Sequence, residues 1–196
     1  MAADDEWLWY GGRVCLDFVN TLRDRWKTPR ETLIEPDDVV SWLRRAGLLT
    51  DRAATREVPQ SALRSAVTLR ESVDSAVLSA ADGAPPALAD ITVINEASAA
   101  APRPPLHLVL RDGQLASGSA ARVAEDVTAG LGLVAQDAIE LLLSPDIRRV
   151  RICGSERCAL RFVDRSPGRN RRWCSMARCG NRTKVRLHQA RSRARG

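Results

Sequence analysis

Aromatic residues make up only 4% of this 196-residue chain while 44% of it is hydrophobic, so a core must be built from Ala, Leu and Val rather than from large rings. That alphabet favours helices. Histidine is scarcer still, with His107 and His188 alone. No H-E-x-x-H, no G-x-S-x-G and no glycine-rich phosphate loop occurs, so the usual nucleophile, base and nucleotide-cradling constellations are missing and a protein that is not an enzyme is expected. The longest apolar stretch, "AGLGLVAQDAIELLL", is broken by Gln136, Asp137 and Glu140. It falls short of the roughly 18–20 uncharged residues of a membrane span. The opening "MAADDEWLWY" is acidic, with no basic region followed by an apolar stretch, so a cytoplasmic location without membrane contact is expected. In that compartment thiols stay reduced, and paired cysteines hold metal more often than they form disulfides.

Acidic residues are missing altogether after Asp164. Residues 148–196 hold 16 Lys and Arg against two acids, Glu156 and Asp164, a balance of +14, whereas residues 1–147 hold 14 basic and 22 acidic residues, a balance of −8. Two parts of opposite charge are joined, 1–147 and 148–196. A basic module carried on an acidic body is the pattern expected of a partner for a polyanion.

What is present in the first part reads as mainly α with one small β-hairpin. In "GGRVCLDFVNTLRDR", Val14, Cys15, Phe18, Val19 and Leu22 recur at helical spacing, with Asp17, Asn20, Thr21 and Asp24 on the other face. Cys15 on the apolar side reads as a small buried thiol. The polar stripe Asp17, Asn20 and Thr21 is a candidate pocket for a small-molecule effector, the alternative being that it is solvated or caps neighbouring backbone. "EPDDVVSWLRRAGLL" reads as a capped helix stopped by Gly47, and a third helix runs from about Pro59 to near Gly83 with Arg70 as the polar exception on its apolar face. "ALADITVINEASAA" is a fourth. Leucines alternate in "PLHLVLRDGQLAS", where Asp112-Gly113 signals a two-residue hairpin turn. "AARVAEDVTAGLGLVAQDAIELLLS" reads as a long helix ended by Pro145.

Four of the five cysteines form two equal pairs, Cys153/Cys158 and Cys174/Cys179, spaced C-x4-C-x15-C-x4-C. Two short chelate loops brought together by an intervening hairpin suit tetrahedral zinc, and four thiolates leave no open position, so one structural Zn²⁺ per chain is expected. Fe–S ligation and a pair of disulfides are the alternatives that the spacing leaves open. With "RVRIC" and "LRFVD" as short strands, the second part reads as a small four-cysteine module of zinc-ribbon or treble-clef-like form with a basic C-terminal helix.

The segment "CGSERCALRFVDRSPGRNRRWCSMARCGNRTKVRLHQAR" resembles the CGNR zinc-finger family, whose motif stands here as Cys179-Gly180-Asn181-Arg182, preceded by "RRWCSM". "GGRVCLDFVNT", "DGAPP", the "RDG" hairpin and "LLLSPD" resemble the helical ABATE domain that commonly precedes this finger. The resemblance covers nearly the whole chain and implies a stress-induced bacterial transcription regulator; related proteins are also described as RNA-binding and zinc-ribbon-like. It alone favours DNA over RNA as the partner. Where relatives often carry an aromatic after the second cysteine, Ala159-Leu160 stands here.

After the fourth cysteine, Gly180 is expected to take a left-handed turn and Asn181 to cap a helix starting at Arg182. Arg182 and Arg186 step along that helix, with Arg178 just ahead, while Lys184, His188, Arg191 and Arg195 form a second track. The loop "RSPGRNRRW" adds Arg165, Arg169, Arg171 and Arg172 beside Trp173, which either stacks a base or fills the knuckle's small core. Such a surface fits nucleic-acid phosphates. The competing readings are a solubilising tail and a zinc-stabilised module for an acidic protein partner. One short module buries too little to specify an operator, so a homodimer is expected.

Overall fold

In the computed structural model, residues 7–52, 57–102, 107–118 and 123–185 are described. The body is helical: α1 (Val14–Val19), α2 (Pro36–Arg45), α3 (Gln60–Asp82), α4 (Leu88–Ala99) and α5 (Val127–Leu143). Helices α3, α4 and α5 pack on one another, and α1 and α2 pack against α3 and α5. Ala and Leu dominate these faces, and small side chains let the helices approach closely. Gly132 on α5 is the tightest point, where a Cβ would stand 2.6 Å from the backbone nitrogen of Ala101 just past α4.

Among the described residues there are also three two-stranded antiparallel ladders: β1 (Leu22–Arg23) with β2 (Arg30–Glu31), β3 (His107–Arg111) with β4 (Gln114–Gly118), and β5 (Val150–Ile152) with β6 (Arg161–Val163). The β3–β4 turn has Asp112 and Gly113 at φ 52° and 78°, the left-handed pair of the expected two-residue hairpin.

Two helices are shorter than their sequence patterns. The amphipathic pattern of 11–25 predicts a helix through Leu22, but α1 ends at Val19 and the chain turns into β1. Both amide groups of Asn20 are drawn across to Arg161, and that contact ends the helix where periodicity would continue it. The last body helix starts at Val127 because Asp126 caps it, its carboxylate accepting from Ala129 N at 2.8 Å, while Ala124 bridges Leu49.

The sequence divides by charge at 147/148, yet the packing runs across that point. Residues of β6 alternate in direction as a strand requires. Val163, together with Val150 on β5, enters the main core of the body; Phe162 and Leu160 enter a second core made by the four cysteines and by Leu8 from the N-terminal segment. Gly11 O accepts from Val163 N at 2.9 Å. The cysteine module is therefore docked on the helices rather than tethered to them.

Candidate metal centre and basic surface

Cys153 and Cys158 lie in the loop joining β5 to β6, so the first pair sits at the tip of the hairpin, which brackets that pair instead of intervening between the two pairs. The second pair opens the finger helix: Cys174 precedes Ser175, and Cys179 lies in a wide π-type turn, Met176–Gly180, that continues as α-helix through residue 185. Asp164 organises the return loop, its carboxylate accepting from Ser166 N, Ser166 Oγ and Arg171 N at 2.9, 2.6 and 2.9 Å.

The four sulfurs lie within 4.8 Å of one another, and all four cysteines are buried. Cys174 Sγ is 3.6 Å from Cys158 Sγ and 3.7 Å from Cys179 Sγ. A tetrahedron of sulfurs about 2.3 Å from a central zinc has edges of about 3.8 Å. The spacing is that of a chelate and too long for a disulfide, and all five cysteines of the chain are free thiols. The protonation pattern points the same way. Hydrogen bonds from Cys158 and Cys174 pull the Cys153 thiol down to about 2, while those same contacts with Cys153 push Cys158 up to about 12 and Cys174 well above the ordinary thiol value. The contacts among Cys153, Cys158 and Cys174 favour one thiolate among the three, and a bound cation would supply the charge that lets the others ionise.

The cap of the finger helix differs from the sequence expectation. Ser175, not Asn181, is the N-cap, its Oγ accepting from Arg178 N at 3.3 Å, and Asn181 is already helical at φ −64° and ψ −43°. Gly180 does not take a left-handed φ either; it is buried close to Met176, whose sulfur a Cβ would meet at 2.6 Å. The wide turn carries the chain through Cys179 directly into the helix, so no fresh start is needed.

Around this centre the basic residues divide into two groups. Arg171 is held by the knuckle itself, its guanidinium lying 4.8 Å from the Phe162 ring centroid and donating to Trp173 O and Cys174 O. Trp173 is half-buried against the cysteine core with Arg172 over its ring at 5.3 Å, which is the core role rather than a free stacking platform. Arg169, Arg182 and Lys184 are exposed. Arg178 and Arg182 meet Arg157 around a 270 Å³ pocket that also includes Ser155 and Thr183. Arg157 was not singled out from the sequence, although both chelate loops end in the same Arg-Cys step, Arg157-Cys158 and Arg178-Cys179. Arg186 and Arg191, with His188 and Arg195, lie outside the described residues.

Residues 12–145 match the family model ABATE, described as "putative stress-induced transcription regulator", and residues 149–192 match that of the CGNR zinc finger. The chain belongs to the ABATE family. Its finger is a CGNR zinc finger, and the four cysteines hold one structural zinc. No curated protein matches the chain. Among the described residues no helix is long and apolar enough to cross a membrane.

The ABATE domain's polar stripe does not form an effector pocket. Asn20 is buried, donating to Arg161 O and accepting from Arg161 N, both at 2.9 Å. Thr21 is buried as well, its hydroxyl donating to Phe18 O at 2.7 Å and accepting from the Arg70 guanidinium at 3.2 Å. The stripe is instead part of a buried polar latch between the ABATE domain and the finger. Arg161 donates from Nε and NH2 to the two Asp74 carboxylate oxygens at 2.7 and 2.8 Å, and from NH1 to Ala159 O. Beside it Arg70, the polar exception on α3, grips Glu31 bidentately at 2.6 and 2.7 Å. A cavity of 710 Å³ opens elsewhere, between α3, α4 and the start of α5, lined among others by Glu57, Arg64, Leu69, Glu96 and Leu131.

Asp17 has a third role. Its Oδ1 accepts from Gly11 N at 2.7 Å, pinning the chain that leads to Val163. Burial, with Asp137 nearby, pushes its carboxyl up to about 7. A carboxyl that binds its proton more tightly folded than unfolded contributes most below its ordinary 3.8, and that contribution is lost as pH rises to about 7. Asp17→Asn keeps the acceptor and removes the buried charge. It is expected to stabilise the protein at pH 7.5 by about 1–3 kcal/mol and to flatten the decline between pH 4 and 7, read by urea unfolding. A loss of stability at pH 7.5 would show that the charge itself is needed.

Proposed function

We propose that the protein is a bacterial, cytoplasmic transcription regulator that binds nucleic acid, DNA in preference to RNA, through its CGNR finger, and that it acts by binding rather than catalysis. The observation that carries this reading is the convergence of Arg157, Arg178 and Arg182 on one pocket beside the metal centre. A rigid zinc scaffold fixes guanidinium groups where a solvated tail would leave them loose, and Arg forks match phosphate oxygens bidentately. Asp164, the last acid of the chain, is buried and hydrogen-bonded within the loop. A homodimer, presenting two fingers, would double the contact area offered to the polynucleotide.

The test is fluorescence anisotropy of zinc-loaded protein with labelled polynucleotides across a salt series. Affinity is expected to fall linearly with salt on logarithmic axes, and Arg182→Ala to weaken it by roughly 3- to 10-fold and to lower the slope by about one, with zinc content unchanged. Binding that neither responds to salt nor grows with polynucleotide length would favour an acidic protein partner instead.

A further inference from the structure

The chain contains eight aromatic residues, and three of them, Trp7, Trp9 and Tyr10, line one 430 Å³ groove together with Arg178 and Arg182 of the finger. The N-terminal segment that carries them is anchored beside the finger by Leu8, which enters the cysteine core. Trp9 rests on the fully buried Trp42, ring centroids 5.4 Å apart and planes at 26°, yet remains 40% exposed; Tyr10 remains 39% exposed. Trp7 is buried, with the Arg45 guanidinium 5.7 Å from its ring centroid, and its indole N–H has no acceptor among the described residues. Large rings held rigidly, half open to solvent and flanked by arginines, mark a surface that receives a flat partner carrying negative charge.

The smaller Arg157 pocket shares Arg178 and Arg182 with this groove. We propose that the two adjoining pockets form one site for an unpaired nucleotide, its base stacking on Trp9 and Tyr10 and its phosphate held by Arg157, Arg178 and Arg182. The larger pocket falls within the roughly 300–1,000 Å³ of small-ligand sites, and the smaller one, of 270 Å³, adjoins it through the shared arginines. Bases in a duplex have both faces covered by their neighbours, so aromatic stacking of this kind selects single-stranded polynucleotide and is tolerant of sequence. The inference rests on the nucleic-acid reading of the finger and refines its substrate class. It also assigns part of the site to the N-terminal segment, outside the finger.

The experiment compares zinc-loaded full-length protein binding to four labelled polynucleotides of equal length at one salt concentration: single-stranded DNA, single-stranded RNA, duplex DNA and an abasic single strand. The preferred base-bearing single strand is expected to bind at least about 10-fold more tightly than duplex or abasic strand, and the stronger of DNA and RNA identifies the sugar. Trp9→Ala and Tyr10→Ala are expected to erase that margin while binding the abasic strand as the unaltered protein does. The abasic comparison alters no side chain, so it decides the matter even where Trp9→Ala fails to fold. Equal affinity for abasic and base-bearing strands, or tighter binding of duplex, overturns the unpaired-nucleotide site while leaving the finger a nucleic-acid binder. No binding of any strand overturns both.

Discussion

Cys174→Ser is expected to reduce bound zinc from one per chain to well under a tenth, and to lower the melting temperature of the whole protein, not of the finger alone. Cys174 is the hub of the centre: its sulfur lies 3.6–3.7 Å from those of Cys158 and Cys179, and its N–H donates to Cys153 Sγ at 3.4 Å. Structural zinc contributes on the order of 10 kcal/mol of folding free energy to a small finger, so the loss of one ligand leaves too little to hold the module. With the module unfolded, Val150 and Val163 leave the main core and Arg161 leaves Asp74. The helical circular-dichroism signal of α3, α4 and α5 should persist at low temperature, but melting should come about 6–20 °C earlier. Retained zinc would dissolve the ligand assignment. Unchanged melting would show that the ABATE domain does not depend on its finger.

Arg161→Ala is the second large effect, expected to cost about 3–5 kcal/mol in urea unfolding while zinc stays bound. The substitution removes both guanidinium hydrogen bonds from the buried Asp74 carboxylate and leaves it the longer ion pair with Arg25, 3.5 Å away. Removing Asp74 as well should restore part of the loss, because no uncompensated charge is then left inside. A cost below about 1 kcal/mol would mean that the latch does not hold the two parts together.

The metal ligands were legible because a closed thiolate site constrains spacing, and the two equal x4 loops announce it. Helices α2, α3 and α4 and the β3–β4 turn followed from period, cap and turn chemistry, all local signals. The latch was not legible in this way. Asn20 lies 141 residues from Arg161, and Asp74 lies 87 residues from it, so a polar stripe that reads as a surface or a pocket becomes an interior once a distant strand is laid on it. Arg171 reads as a contact residue because position along a basic loop does not reveal which guanidinium the knuckle needs for itself, and Trp173, for which stacking and core were both open, packs on the cysteine core. Asn181 reads as a cap because its residue type and place suit one; the wide turn at Met176–Gly180 moves the cap to Ser175. Trp9 and Tyr10 carry no pattern of their own, and their role depends on Leu8 anchoring the segment beside the finger.

On the proposed reading, zinc rather than charge alone builds the nucleic-acid surface. The most direct measurement is the affinity of the full chain for a labelled polynucleotide at fixed salt, before and after zinc is removed by chelation and again after it is restored. A loss of at least about 10-fold is expected on removal, with recovery at one zinc per chain. Equal affinity with and without zinc would contradict it, and would reduce the C-terminal arginines to a charged tail.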